Sequence, residues 1–130
     1  MITAIHTLVY SDDPAATRAF FKDVLRWPFV SDGGDDPAEW LIFATGRSEL
    51  GVHPTSGEHD GQEWSSPKHH AIGVLCDDLD ATMADVSGRG AEFLGDPQDM
   101  GFGRGALMRV PGADDMLLYE PRHATAYDLG

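Results

Sequence analysis

The sequence predicts an α+β fold in which a strand, a helix and a β-hairpin occur twice, and three observations predict it. Two short motifs recur at nearly constant spacing: SDDPAAT (Ser11 to Thr17) matches CDDLDAT (Cys76 to Thr82) at an offset of 65 residues, and GVHP (Gly51 to Pro54) matches LYEP (Leu118 to Pro121) at 67. Offsets agreeing within two residues are what a duplicated unit with small loop differences leaves behind. Apolar residues switch between strand and helix periodicity along each copy. Finally, 130 residues with 42% hydrophobic and 24% charged side chains match one globular domain able to bury a core.

The first copy opens with a strand expected over Ile2 to Tyr10, where Ile2, Ala4, His6, Leu8 and Tyr10 share one face. Asp12-Asp13-Pro14 reads as a helix start, and a helix to about Leu25 follows with Ala16, Phe20, Phe21 and Val24 near helical spacing. Trp40 to Ala44 and Glu49 to His53, separated by Thr45-Gly46-Arg47, read as a hairpin. Pro54 to Lys68 is polar and without periodicity, and is expected to be a linker. The second copy repeats the order: a strand at His70 to Leu75, a helix from Asp77-Asp78 to about Ser87 stopped by Gly88-Arg89-Gly90, a short extended piece at Ala91 to Leu94, and a hairpin of Gly105 to Val110 with Met116 to Glu120. The organisation expected is a first module over about 1–55, a linker over about 54–68, a second module over about 69–121 and a tail over 122–130.

Nine basic against 22 acidic residues give a formal charge of -13. Such a field repels phosphate backbones and anionic lipid, so neither nucleic acid nor a membrane is an expected partner, whereas a metal cation or cationic ligand is attracted. Cys76 is the only cysteine, which rules out an internal disulfide and suits a reducing, cytoplasmic setting. No apolar run approaches membrane-spanning length.

The duplication places metal-competent groups at matching positions. His6 and His70 lie on the first strand of each copy, and His53 and Glu120 end the last. Imidazole and carboxylate are the ligands expected for Zn, Ni, Fe, Mn or Co. Taken singly, each has an ordinary reading as a core histidine or a solvated strand end. His69 points to the opposite face from His70, Glu49 lies in phase with His53 and is the reserve ligand, and His59 and His123 are expected to be exposed and idle. Phe102 and Arg104 in GFGRG, together with Trp40, Trp64 and Tyr119, are candidate pocket-lining residues, with an ordinary turn and plain core as the alternatives.

From IHTLVYSDDPAATRAFFKDVL through GVHP and HHAIGVLCDDLDATMADVSGRGAEF to MLLYEP, the chain resembles the vicinal oxygen chelate superfamily, which groups glyoxalase I, bleomycin-resistance proteins and extradiol dioxygenases. The resemblance implies two βαβββ modules forming a curled mixed sheet around a central cleft, with a divalent metal held by His6, His53, His70 and Glu120. His53 and Glu120 are then the candidate catalytic groups, His53 as ligand or general base. Glyoxalase I-like members carry an acidic residue where this chain has His53. The leading reading is a glyoxalase-like, lyase- or isomerase-type metalloenzyme acting on a small substrate chelated through neighbouring oxygens. A metal-free drug-binding protein of the bleomycin-resistance type is the alternative, and an extradiol-type dioxygenase a second. A homodimer is expected, because the resemblance implies modules that pair across chains and open sheet edges are a liability unless covered.

Overall fold

The structure is a computed structural model and describes Met1 and residues 3–129. Its elements in chain order are α1 (Pro14–Ala19), β1 (Phe29–Ser31), β2 (Leu41–Phe43), β3 (Ser56–His59), β4 (Gln62–Ser65), β5 (Gly73–Leu75), α2 (Leu79–Gly88), β6 (Phe93–Asp99), β7 (Gly103–Met108) and β8 (Met116–Pro121). A π-helical turn, Phe20–Val24, prolongs α1. The mixed α+β architecture expected from the sequence is present, with eight strands among the described residues and no closed barrel.

Both helices begin where the acidic pairs sit. The Asp13 carboxylate accepts the Ala16 N–H at 3.1 Å and that of Asp78 accepts the Ala81 N–H at 3.0 Å, so each aspartate satisfies an amide that lacks a partner within its helix. Pro14 follows its cap at the first helical position, where a missing N–H costs nothing.

The second half forms a four-stranded sheet in the order β5-β8-β7-β6, with β5 parallel to β8 and the other pairs antiparallel. Alternation along β7 and β8 assigns its faces. Ala106, Met108, Met116 and Leu118 are buried, and with Phe20, Phe21, Val86, Ala91 and Val110 they make the core beneath the helices. The opposite face carries Gly73, Leu117, Tyr119, Gly103, Gly105 and Leu107, and Leu107 is exposed.

The first half departs from expectation. Among the described residues, the stretch 3–10 has no ladder partner; Ile2, expected to begin its strand, lies outside them. Val9 packs against the core while Leu8 and Tyr10 are exposed, so the buried phase is opposite to the one expected. Leu41–Phe43 pairs with Phe29–Ser31 rather than with Glu49 to His53, which is irregular. Part of the expected linker is a hairpin, β3–β4, closed by Asp60-Gly61. Both turn residues have positive φ, 50° and 78°, the conformation a two-residue hairpin turn needs.

The halves are joined by specific contacts. The buried Thr17 hydroxyl bonds the Pro111 carbonyl, the Asp12 N–H donates to the Gly112 carbonyl at 2.8 Å, and Arg89 Nε donates to the Val24 carbonyl at 2.7 Å. Gly112 has φ +80°, and a Cβ there would sit 2.5 Å from Ser11 Oγ. No helix among the described residues is long and apolar enough to cross a membrane.

Candidate functional site

The four groups expected to share an ion are not gathered within one chain. His6 is exposed in the unpaired stretch 3–10, and His70 is exposed just before β5. His53, also exposed, has its Nδ1 2.8 Å from the Pro54 carbonyl oxygen and its ring 5.2 Å from that of Trp64. Glu120 stands directly across from Arg104, and Arg104 reaches Asp80 of α2 at 3.1 Å, so both belong to the helix-covered side of the sheet. Among the described residues no three His, Cys, Asp or Glu side chains come together in a way that would hold an ion. The single-chain donor set therefore does not fit the metal that the resemblance implies.

A different cluster forms on the opposite face, around Tyr119. Three glycines clear a bed for its ring. A Cβ on Gly103 would lie 3.0 Å from Tyr119 Cδ2, one on Gly105 2.8 Å from Tyr119 Cβ, and one on Gly73 3.2 Å from Tyr119 Cε1. Larger residues at these positions on β7 and β5 would displace the ring. Phe102 meets it edge-on, with centroids 5.3 Å apart at 89°, a favourable geometry for two aromatic quadrupoles. Phe102 is itself 46% exposed, so the aromatic pair reaches solvent.

Polar groups distant in sequence, from residues 47–49 and the C-terminal segment, converge here. Tyr119 Oη lies 3.0 Å from His123 Nε2, and Glu49 Oε1 lies 3.9 Å from that same nitrogen. Glu49 Oε2 accepts the Ala126 N–H at 2.6 Å. Arg47 forms an ion pair with Asp128 and stacks over Tyr127 at 5.0 Å, so residues 47–49 hold the C-terminal segment against β8. Burial, with the Glu49 charge as the second cause, pushes the Tyr119 hydroxyl above its ordinary pKa.

Of these residues, Phe102 and Tyr119 are among the pocket-lining candidates read from sequence, and Glu49 is the reserve ligand. His123 is the one sequence reasoning missed. It was expected to be idle, and its signal is only that it follows Tyr119 by four residues just past the strand end. Cys76, on the helix side, has its thiol pushed up chiefly by burial and is no activated nucleophile. A concavity of about 680 Å³ lies elsewhere, at the seam between Asp12 and the Asp114-Asp115 turn. It is wide open and mostly polar, and its Tyr10 is 87% exposed, so we place the site at Tyr119 instead.

A family model for the Glyoxalase/Bleomycin resistance protein/Dioxygenase superfamily matches residues 3–123. The chain belongs to this superfamily. Solved structures agree in fold. One is a member of the Glyoxalase/bleomycin resistance protein/dioxygenase superfamily from Sphaerobacter thermophilus DSM 20745, at 22% identity and TM-score 0.56, covering 92% of this chain and 98% of that one. Another is TnmS3, an antibiotic binding protein from Streptomyces sp. CB03234, at 18% identity and TM-score 0.55, covering 92% of this chain and 99% of that one. A search of curated proteins returned no match. The superfamily includes metal-using and metal-free members, so membership leaves the chemistry to the residues.

Proposed function

We propose that this superfamily member is a binding protein for a small organic molecule, held on the open face of the β5-β8-β7-β6 sheet by Tyr119, Phe102 and Glu49 rather than chelated by an ion. The observation that carries the reading is the Tyr119 ring, bedded on three glycines and edged by a half-exposed phenylalanine, with a carboxylate beside it. Aromatic surface with a few placed polar groups is the usual make-up of a ligand site. The charge of -13 adds a field that draws cationic ligands and repels nucleic acid and anionic membranes. TnmS3, of similar fold, is an antibiotic binding protein, which supports the same class of role.

Assembly belongs to the proposal. Ile5, Leu8, Leu50 and Val52 are 52–94% exposed on stretches without ladder partners, and a homodimer that pairs those stretches would cover them. A cytoplasmic setting suits the single cysteine.

Calorimetry on the purified chain tests the reading. Cationic aromatic drugs are expected to bind, and Tyr119→Ala to weaken them at least tenfold, while Zn, Ni, Mn and Fe(II) give no heat at micromolar protein. Stoichiometric metal binding that His6→Ala, His70→Ala and Glu120→Ala each abolish would overturn it in favour of the metalloenzyme, with a second copy completing the ligand set.

A further inference from the structure

The Tyr119 hydroxyl has its one proton committed. His123 Nδ1 lies 2.7 Å from the Ala124 carbonyl oxygen. A carbonyl only accepts, so in the neutral ring Nδ1 carries the proton and Nε2 is a bare acceptor. Tyr119 Oη, 3.0 Å away, therefore donates to Nε2 and keeps only lone pairs to offer.

The neighbouring atoms have the same polarity. Glu49 Oε1, at 3.9 Å from Nε2, faces a nitrogen with no proton to give, and the carboxylate's hydrogen bond among the described residues uses the other oxygen. Three main-chain donors nearby are occupied: Arg122 N–H and His123 N–H go to the Phe102 carbonyl at 2.8 and 3.3 Å, and Ala126 N–H to Glu49. Tyr119 Oη and Glu49 Oε1 thus both face a ligand as acceptors.

We infer that His123 sets the hydrogen-bond polarity of this face, so that the site takes aromatic ligands that bring a donor, such as a phenol, amide N–H or ammonium, and rejects ligands that only accept. This rests on the reading of the Tyr119 face as the ligand site. The physical basis is that an acceptor-only ligand would desolvate two acceptors and give them nothing in return. Tyrosine is a phenol at neutral pH and the upward shift of Tyr119 extends that range, so that it goes on donating to His123.

Two measurements on the full chain test the inference. Long-range ¹H–¹⁵N spectra without ligand should show His123 as the Nδ1–H tautomer, with its Nε2 signal moved by Tyr119→Phe; an Nε2–H tautomer overturns the inference whatever the protein binds. The binding arm uses 2-naphthol and 2-methoxynaphthalene, both neutral, so that net charge plays no part. The native chain is expected to prefer 2-naphthol by tenfold or more. His123→Phe, which frees the Tyr119 proton, should tighten 2-methoxynaphthalene at least threefold and shrink the preference. Equal affinities in the native chain, or a preference that His123→Phe leaves intact, overturns the inference while the site reading stands. Failure of both compounds to bind the native chain removes the site reading and the inference with it.

Discussion

The two halves of the chain start their helices identically and build their sheets differently. Asp13 and Asp78 cap α1 and α2 through the same side-chain bond to the amide three residues on, at 3.1 and 3.0 Å. Yet the second half makes a four-stranded sheet over a buried core, whereas the first makes two separate strand pairs, β1–β2 and β3–β4, and leaves Leu50 and Val52 exposed. A cap needs only its own helix. A strand needs a neighbour for its backbone, and among the described residues the stretches 3–10 and 49–53 have none.

The largest effect expected from this contrast is in the core. Met108 is fully buried in the second half, so Met108→Ala should cost about 2–5 kcal/mol. Leu50→Ala should move the stability of dilute protein by no more than about 0.5 kcal/mol. Urea unfolding of both variants gives the comparison, and a large loss for Leu50→Ala at low concentration would mean that the first half is packed after all. Next comes the glycine bed. A Cβ at Gly105 would meet the Leu118 carbonyl oxygen and Tyr119 Cβ, each at 2.8 Å, so Gly105→Ala should cost about 1–3 kcal/mol and displace the Tyr119 ring, visible as a lower Tm and altered near-ultraviolet dichroism.

The caps should behave as equals. Asp13→Ala and Asp78→Ala are each expected to cost about 1 kcal/mol by thermal unfolding, and a much smaller loss for Asp13→Ala would show that α1 contributes little to the cooperative unit. The smallest effect is electrostatic. Hydrogen bonds from the Arg122 side chain and the Gly101 amide hold the exposed Asp99 carboxyl below the ordinary carboxylate range. A lowered folded value makes stability greatest above the unfolded pKa of about 4 and diminishes it as pH falls through the folded value. Asp99→Asn should therefore flatten the acid limb of the urea midpoint against pH slightly, and less so at high salt.

Local signals were legible in the sequence and non-local ones were not. The caps and the second hairpin follow from short-range chemistry, and each is present; of the duplicated order only the two capped helices recur, because among the described residues the first copy has neither its expected first strand nor its expected hairpin. The Asp60-Gly61 turn was equally readable, but the surrounding Ser, Glu, His and Gln lack the apolar alternation that marks a strand. His70 illustrates the harder case. It shares a phase with Ile72 and Val74, which pack against the core, yet His70 itself lies just before β5 and is exposed. Glu120 lies on the helix-covered face. The open face is marked instead by glycines and by Tyr119, whose partners His123 and Glu49 are distant from each other in sequence. Only the folded chain brings those two together.

The most direct test of the Tyr119-centred site is a chemical-shift map of the full chain titrated with 2-naphthol. The account predicts the largest perturbations at Phe102, Tyr119, His123, Glu49 and the glycines 73, 103 and 105, with little change at His6, His53 and His70. Perturbations concentrated on those three histidines and Glu120, with Tyr119 and Phe102 unmoved, would contradict it.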